Sequence, residues 1–225
     1  ANNNTGLGYN SLTENTTGTS NVAVGAHTLA ANTTADNNTA VGKSSLNANT
    51  TGAHNTGIGQ SSLVLLTTGD QNTAVGSFSL QATTTGEYNV AMGYNALGAN
   101  TTASENTGLG YRALQANTTA TDNTGVGYES LKSNTTGESN TAVGSVCLDA
   151  NTTGDFNTAV GRSALGGNTT ADKNTGIGYN ALGSNTTGTQ NVAVGALTLD
   201  ANTTGSSNTA CGEGSLSANT TASNN

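Results

Sequence analysis

The sequence has no proline and no tryptophan, one methionine and two cysteines among 225 residues. Charge is scarce too: five Lys and Arg and 13 Asp and Glu make 8% of the chain and leave a net charge of −8. Hydrophobic residues reach 32% and aromatics 4%, against about 45–50% apolar and about 25% charged in ordinary soluble domains. Each shortage closes a class of function. The length suffices for one or two globular domains, but this mixture cannot fill an enzyme core. Five basic residues leave no footprint for nucleic acid. No stretch approaches membrane-spanning length. Disorder pairs low hydrophobicity with high net charge or proline, and neither is present. No signal-peptide pattern stands at either end, and the chain opens at Ala1, as a processed product or a window of something longer would.

What the sequence has in excess is Thr, Asn and Gly, at 43, 33 and 31 copies. They recur with a fixed period. Asn4, Asn21, Asn38, Asn55 and Asn72 open near-identical units, and the spacing of 17 residues holds through Asn208, giving 13 units over residues 4–224. The pattern is N-[TV]-[AG]-[VILMC]-G-x-x-[AST]-L-x-[AS]-N-T-T-[GA]-x-x, with few exceptions. Such periodicity is the mark of a repeat architecture. Unit positions 1 (Asn), 5 (Gly), 9 (Leu), 13 and 14 (Thr) are invariant across the array. Position 12 is Asn in 11 units, with Leu66 and Thr83 as exceptions. Nearly all charge falls on positions 6, 7, 10, 16 and 17, which therefore face solvent. Residues 1–225 read as one array with no linker and no separate caps.

Thr, Asn and Gly are poor helix formers, whereas T-A-V-G alternates as a strand does, positions 2 and 4 on one face and 1, 3 and 5 on the other. Positions 9, 11 and 13 make a second alternating run. Gly at position 5 and Gly or Ala at 15 suit tight corners. The unit is thus predicted to be one coil of an all-β solenoid or β-roll with two short strands. Stacked about 4.8 Å apart, 13 coils make a rod about 60 Å long. Each residue then rests on its own copy, so that Asn21, Asn38 and Asn55 form an internal amide ladder. Gly25, Gly42 and Gly59 line a corner, and Leu29, Leu46 and Leu63 form an apolar column. The Asn file at position 12, which accepts Leu66 and Thr83, is expected nearer the surface.

Two large apolar side chains per coil, at about 1.5–3 kcal/mol each when buried, are few against about 1–2 kcal/mol of backbone entropy per ordered residue. Association of several chains or end-to-end extension is expected, merging Leu and Val columns of neighbours. Uncapped repeat rods also tend to stick. The expected partners are copies of the chain itself, with no cofactor.

The unit N-T-A-V-G-x-x-x-L-x-A-N-T-T-G resembles the 17-residue repeats that form the shaft of bacterial and phage tail-fibre-domain proteins, over essentially the whole chain. More loosely, Val22–Gly25 and Thr158–Gly161 are similar to the A-I-G repeats of the YadA-like head of trimeric autotransporter adhesins, whose period is shorter and which form a left-handed trimeric β-roll. These resemblances imply an extracellular or cell- or virion-surface fibre, structural or adhesive.

N-T-T fits the N-x-[ST] acceptor rule for N-glycosylation at Asn15, Asn32, Asn49, Asn100, Asn117, Asn134, Asn151, Asn168, Asn185, Asn202 and Asn219. Asn3 and Asn37 fit it too. Thr16, Thr17, Thr33, Thr34, Thr50, Thr51 and their equivalents are O-linked candidates. Against this stands a purely structural use, N-T-T as a β-corner whose hydroxyls cap backbone groups. A glycan sheath would keep a weakly charged rod from lateral aggregation. Ice binding is the rival use of a Thr-rich solenoid, but adjacent Thr residues point to opposite faces of an extended segment, leaving at most one Thr file there. Tyr94, Tyr111 and Tyr128 mark either a sugar-stacking strip or a half-exposed aromatic ladder. Cys147 and Cys211, four coils and about 19 Å apart, exceed disulfide reach and read as buried fillers. His27 and His54 are isolated surface residues. The G-x-G recurrence (Gly6 and Gly8, Gly57 and Gly59) lacks the third Gly of a nucleotide loop, and the G-G-x-G-x-D calcium nonapeptide is absent. No catalytic constellation or metal cluster can be assembled. The chain reads first as a polymerising, sugar-coated extracellular fibril protein, then as an adhesin or phage-fibre shaft or head, and third as an ice-binding protein.

Overall fold

In the computed structural model, which describes residues 2–225, every 17-residue unit forms one coil of a parallel β-solenoid. The chain forms two compact units, one running to Tyr111 and the other from Arg112. The first carries β1 (Thr5–Leu7), β2 (Val22–Val24), β3 (Thr39–Val41), β4 (Thr56–Ile58), β5 (Thr73–Val75), β6 (Val90–Met92) and β7 (Thr107–Leu109). The second carries β8 (Thr124–Val126), β9 (Thr141–Val143), β10 (Thr158–Val160), β11 (Thr175–Ile177), β12 (Val192–Val194) and β13 (Thr209–Cys211). Within each unit successive strands pair in parallel and like rests on like: Val22 faces Thr39 and Ala23 faces Ala40, and Thr158 faces Thr175. No helix among the described residues is long and apolar enough to cross a membrane.

Each coil has one strand, not two. The expected second strand over positions 9, 11 and 13 is a compact turn, because Leu at position 9 is held at φ between 45° and 53°, a left-handed conformation that ends extended backbone. Position 7 is left-handed as well, as in His27 and Ser44. The turn still bonds from coil to coil: the Leu29 N–H donates to Ser45 O at 3.2 Å and the Ala31 N–H to Asn47 O at 3.1 Å. The Asn32 N–H closes back on Leu29 O at 3.2 Å. At position 5 Gly is obligatory. Gly76 has φ +130, and a Cβ there would lie 2.5 Å from Gly93 O in the next coil.

The interior is narrow and half polar. Leu29, Leu46, Leu63 and their equivalents through Leu199 are fully buried. Beside them lie Ala or Gly at position 3, small residues such as Thr28, Ser45 and Cys147 at position 8, and both Asn files. Asn21, Asn38 and Asn55 are completely buried. The Asn21 Nδ2 donates to Ala35 O of its own coil at 2.8 Å, and its Oδ1 accepts the Asn38 backbone N–H at 3.0 Å. The amide thus ties a corner and joins two coils, a double task that neither Asp nor Ala can perform.

Two expectations about this interior need correction. Position 12 is buried as deeply as position 1: Asn32, Asn49 and Asn100 have no exposed surface, nor do Leu66 and Thr83 that replace Asn in two coils. The large aliphatic residue of position 4 is not in the core. It points outward, as at Met92 (51% exposed) and Ile58 (40%), while Ala or Gly at position 3 points in. Neighbouring chains therefore have no Leu column to merge with, since Leu is spent inside its own coil.

Candidate functional site

With the interior filled, any functional chemistry has to lie on the outward files, meaning one unit position followed from coil to coil. The N-T-T corner divides into three environments. Its Asn points in: the Asn32 Nδ2 donates to Asn15 Oδ1 (2.8 Å) and Ala35 O (3.2 Å), and the Asn151 Nδ2 to Asn134 Oδ1 and Gly154 O, both at 2.9 Å. Asn32, Asn49, Asn100, Asn117, Asn134, Asn151, Asn168, Asn185 and Asn202 are all fully buried. The expectation that they accept N-linked sugar fails in the folded chain, because the nitrogen to be modified is inside and already donating. Asn15 and Asn219 are partly buried, and their Nδ2 atoms also donate, to Gly18 O at 3.0 Å and Ala222 O at 3.0 Å. Asn3 and Asn37 are exposed.

The two Thr residues part company as adjacent side chains must. At position 13 the hydroxyl donates to the carbonyl of its own copy in the next coil, from Thr16 to Thr33 (2.9 Å), Thr33 to Thr50 (3.1 Å) and Thr50 to Thr67 (3.0 Å). At position 14 the side chain is exposed in every coil, Thr17, Thr34 and Thr51 included. The corner therefore presents one outward Thr file.

Aromatic residues cluster on the first unit. The Tyr94 and Tyr111 rings stack with centroids 5.6 Å apart and 14° between planes, and Phe78 meets Tyr94 edge-on at 5.8 Å. Phe78, Gln81, Tyr94 and Asn95 line an open cleft of about 230 Å³. Tyr128, on the second unit, is exposed. A second open cleft, of about 430 Å³, lies over Asn10, Glu14, Ala31 and Asn47. Tyr9 packs edge-on against His27 at 5.3 Å, and His54 is exposed.

Charged groups make local structural contacts. Glu129 meets Lys132 Nζ at 2.9 Å and Arg112 at 3.8 Å. The hydrogen bond to Glu129 raises the Lys132 ammonium above its ordinary 10.5, and burial pushes the neighbouring Asp149 carboxyl up. The Thr19 backbone N–H and hydroxyl, both donating to Asp36, hold that carboxyl below its ordinary 3.8. Among the described residues no group of three or more His, Cys, Asp or Glu gathers to hold a metal. Both cysteines are free. Cys147 is a buried filler whose thiol donates to Ala159 O at 3.3 Å, and burial pushes its pKa up to about 12. Cys211 is not buried. It stands exposed at position 4 of β13, on the outward side of its strand.

Comparison with known proteins finds no matching family model, no matching curated protein and no matching solved structure.

Proposed function

We propose that this chain is a structural protein of an extracellular, cell-surface or virion-surface fibre, assembling with copies of itself. One observation carries the reading: the recurrent residues spend their bonding on the stack. Asn at positions 1 and 12 and Thr at 13 bond to the next or the preceding coil, 17 residues away, and Leu fills the interior. None of them converges on a reacting group. The resemblance of the unit to tail-fibre shaft repeats supports the same role. Electron microscopy of the purified chain at rising concentration tests it. Filaments many times longer than one chain are the expected result, and uniformly small particles at every concentration would refute it.

A sugar coat, on this reading, sits on the hydroxyls of the position-14 Thr file, since the interior Asn residues are closed to it. Material from the native source should then exceed 22.0 kDa and lose the excess on alkaline β-elimination. An unmodified mass removes the coat and leaves the fibre.

A second reading, the shaft or head of an adhesin or phage fibre, is favoured by the Phe78–Tyr94–Tyr111 cluster beside Gln81 and Asn95. Flat rings next to amides suit the apolar faces and hydroxyls of a sugar. Binding to a glycan array that Tyr94→Ala abolishes is its test.

A further inference from the structure

We propose that the outer face of the strand layer docks against the same face of a second copy of this chain, an assignment that rests on the fibre reading and names its contact surface. The strands are inside out. A strand with one face to solvent ordinarily keeps its apolar residues in and its polar ones out. Here Ala or Gly points in, while position 2 presents Thr or Val and position 4 presents Val, Ile, Leu, Met or Cys. Strand propensity accounts for β-branched residues, but it does not account for the exclusion of Lys, Glu, Arg and Gln from these two positions in all 13 units. The chain's five basic and 13 acidic residues all lie elsewhere. The side chains concerned are not hidden: Met92 is 51% exposed, Ile58 40% and Ile177 38%.

The occupant follows from pitch and charge. The outward side chains stand in register, Val22 on Thr39 and Val24 on Val41, with one row per coil. A partner that fits several rows needs the same repeat, and another copy of this chain has it. Copies that each carry −8 repel through their charged files, and this face carries none of that charge. Facing sheets of this kind interdigitate about 10 Å apart as a dry Thr and aliphatic layer.

Sedimentation velocity on the full chain tests the assignment. The wild type is expected above 22.0 kDa. A variant carrying Thr73→Lys, Val75→Lys, Thr158→Lys and Val160→Lys should run at that monomer mass with an unchanged far-ultraviolet spectrum. Ser77→Lys with Ala196→Lys, at position 6 where Lys43 and Arg162 already stand, should assemble as the wild type does. Should the four-lysine variant misfold, the isosteric Thr73→Val and Thr158→Val changes serve instead, and each should tighten association about fourfold. Assembly that persists in a folded four-lysine variant, or is indifferent to the valines, overturns this face while the fibre reading stands. Discrete dimers that never elongate uphold the face and overturn the fibre. A wild type that stays monomeric overturns both, and thermal hysteresis from that monomer would place ice on the face instead.

Discussion

Leu66 occupies, one coil beyond Asn49, the place from which an Asn would send its Nδ2 back, and Asn49 Oδ1 is consequently buried without a hydrogen-bond partner. Other rungs of the file close, as from Asn49 Nδ2 to Asn32 Oδ1 (3.2 Å) or Asn134 Nδ2 to Asn117 Oδ1 (3.1 Å). Leu66 thus exchanges one amide rung for apolar burial, and the array tolerates the exchange.

That exchange should run backwards. Leu66→Asn loses about 1.5–3 kcal/mol of Leu burial and regains about 1–3 kcal/mol by pairing the orphaned oxygen. Chemical unfolding should place it within about 1 kcal/mol of wild type. Leu63→Asn, three residues earlier in the same coil, has no amide partner to meet and should lose more than about 3 kcal/mol. Equal losses for the two would show that position 12 is not a ladder.

Gly76→Ala should destabilise by more than about 2 kcal/mol in the same assay. Left-handed backbone alone costs a side chain about 1–3 kcal/mol, and the added Cβ would press on Gly93 O of the next coil. Ser77→Ala, one residue on at a free position, should change little. An unfolding free energy for Gly76→Ala equal to wild type would show that coils slide apart easily.

The strand, the period and the inward Asn of position 1 are legible in the sequence, because each follows from alternation or strict repetition. Three features are not, for separate reasons. Leu-Ala-Thr at positions 9, 11 and 13 alternates like a strand, and nothing in Leu signals left-handed backbone, which it disfavours. The hydrogen bonds of the turn, from the Leu29 N–H to Ser45 O and from the Asn32 N–H to Leu29 O, hold it there together with burial of the side chain. Replacement by Leu66 and Thr83 reads as tolerance at a surface, yet each fills the interior by its own means. Leu66 buries carbon, and the Thr83 hydroxyl donates to Asn100 O at 3.0 Å. Alternation gives T-A-V two faces without saying which is inside, and bulk suggests Val. The interior has little room for it: position 3 is Ala or Gly throughout, and a Cβ added at Gly176 would already lie 3.2 Å from Leu165 Cγ.

The two corner threonines should separate cleanly. Thr33→Val removes the hydroxyl that donates to Thr50 O and should cost about 1 kcal/mol. Thr34→Val, on the exposed file, should be neutral to stability within about 0.5 kcal/mol. Because Val keeps the β-branched shape, a loss at Thr34 matching that at Thr33 would mean that the position-14 hydroxyl also bonds to the next coil.

Alkaline pH should weaken the fold through Cys147. Burial raises its folded pKa from an ordinary 9.0 to about 12, so the thiol stays protonated in the coil while the unfolded chain ionises. For a raised pKa the contribution to stability is whole below the unfolded value and disappears as pH climbs through the folded one. Unfolding free energy should therefore decline between about pH 9 and 12. Cys147→Ala, which places at position 8 the residue already found at Ala96, Ala113, Ala164 and Ala181, should fold normally and lose this part of the slope. Cys211 serves as the internal control: exposed on β13, it should react with a thiol reagent at neutral pH, while Cys147 does so only on unfolding. An identical alkaline slope in Cys147→Ala would assign the effect to other groups and place the Cys147 thiol within reach of solvent.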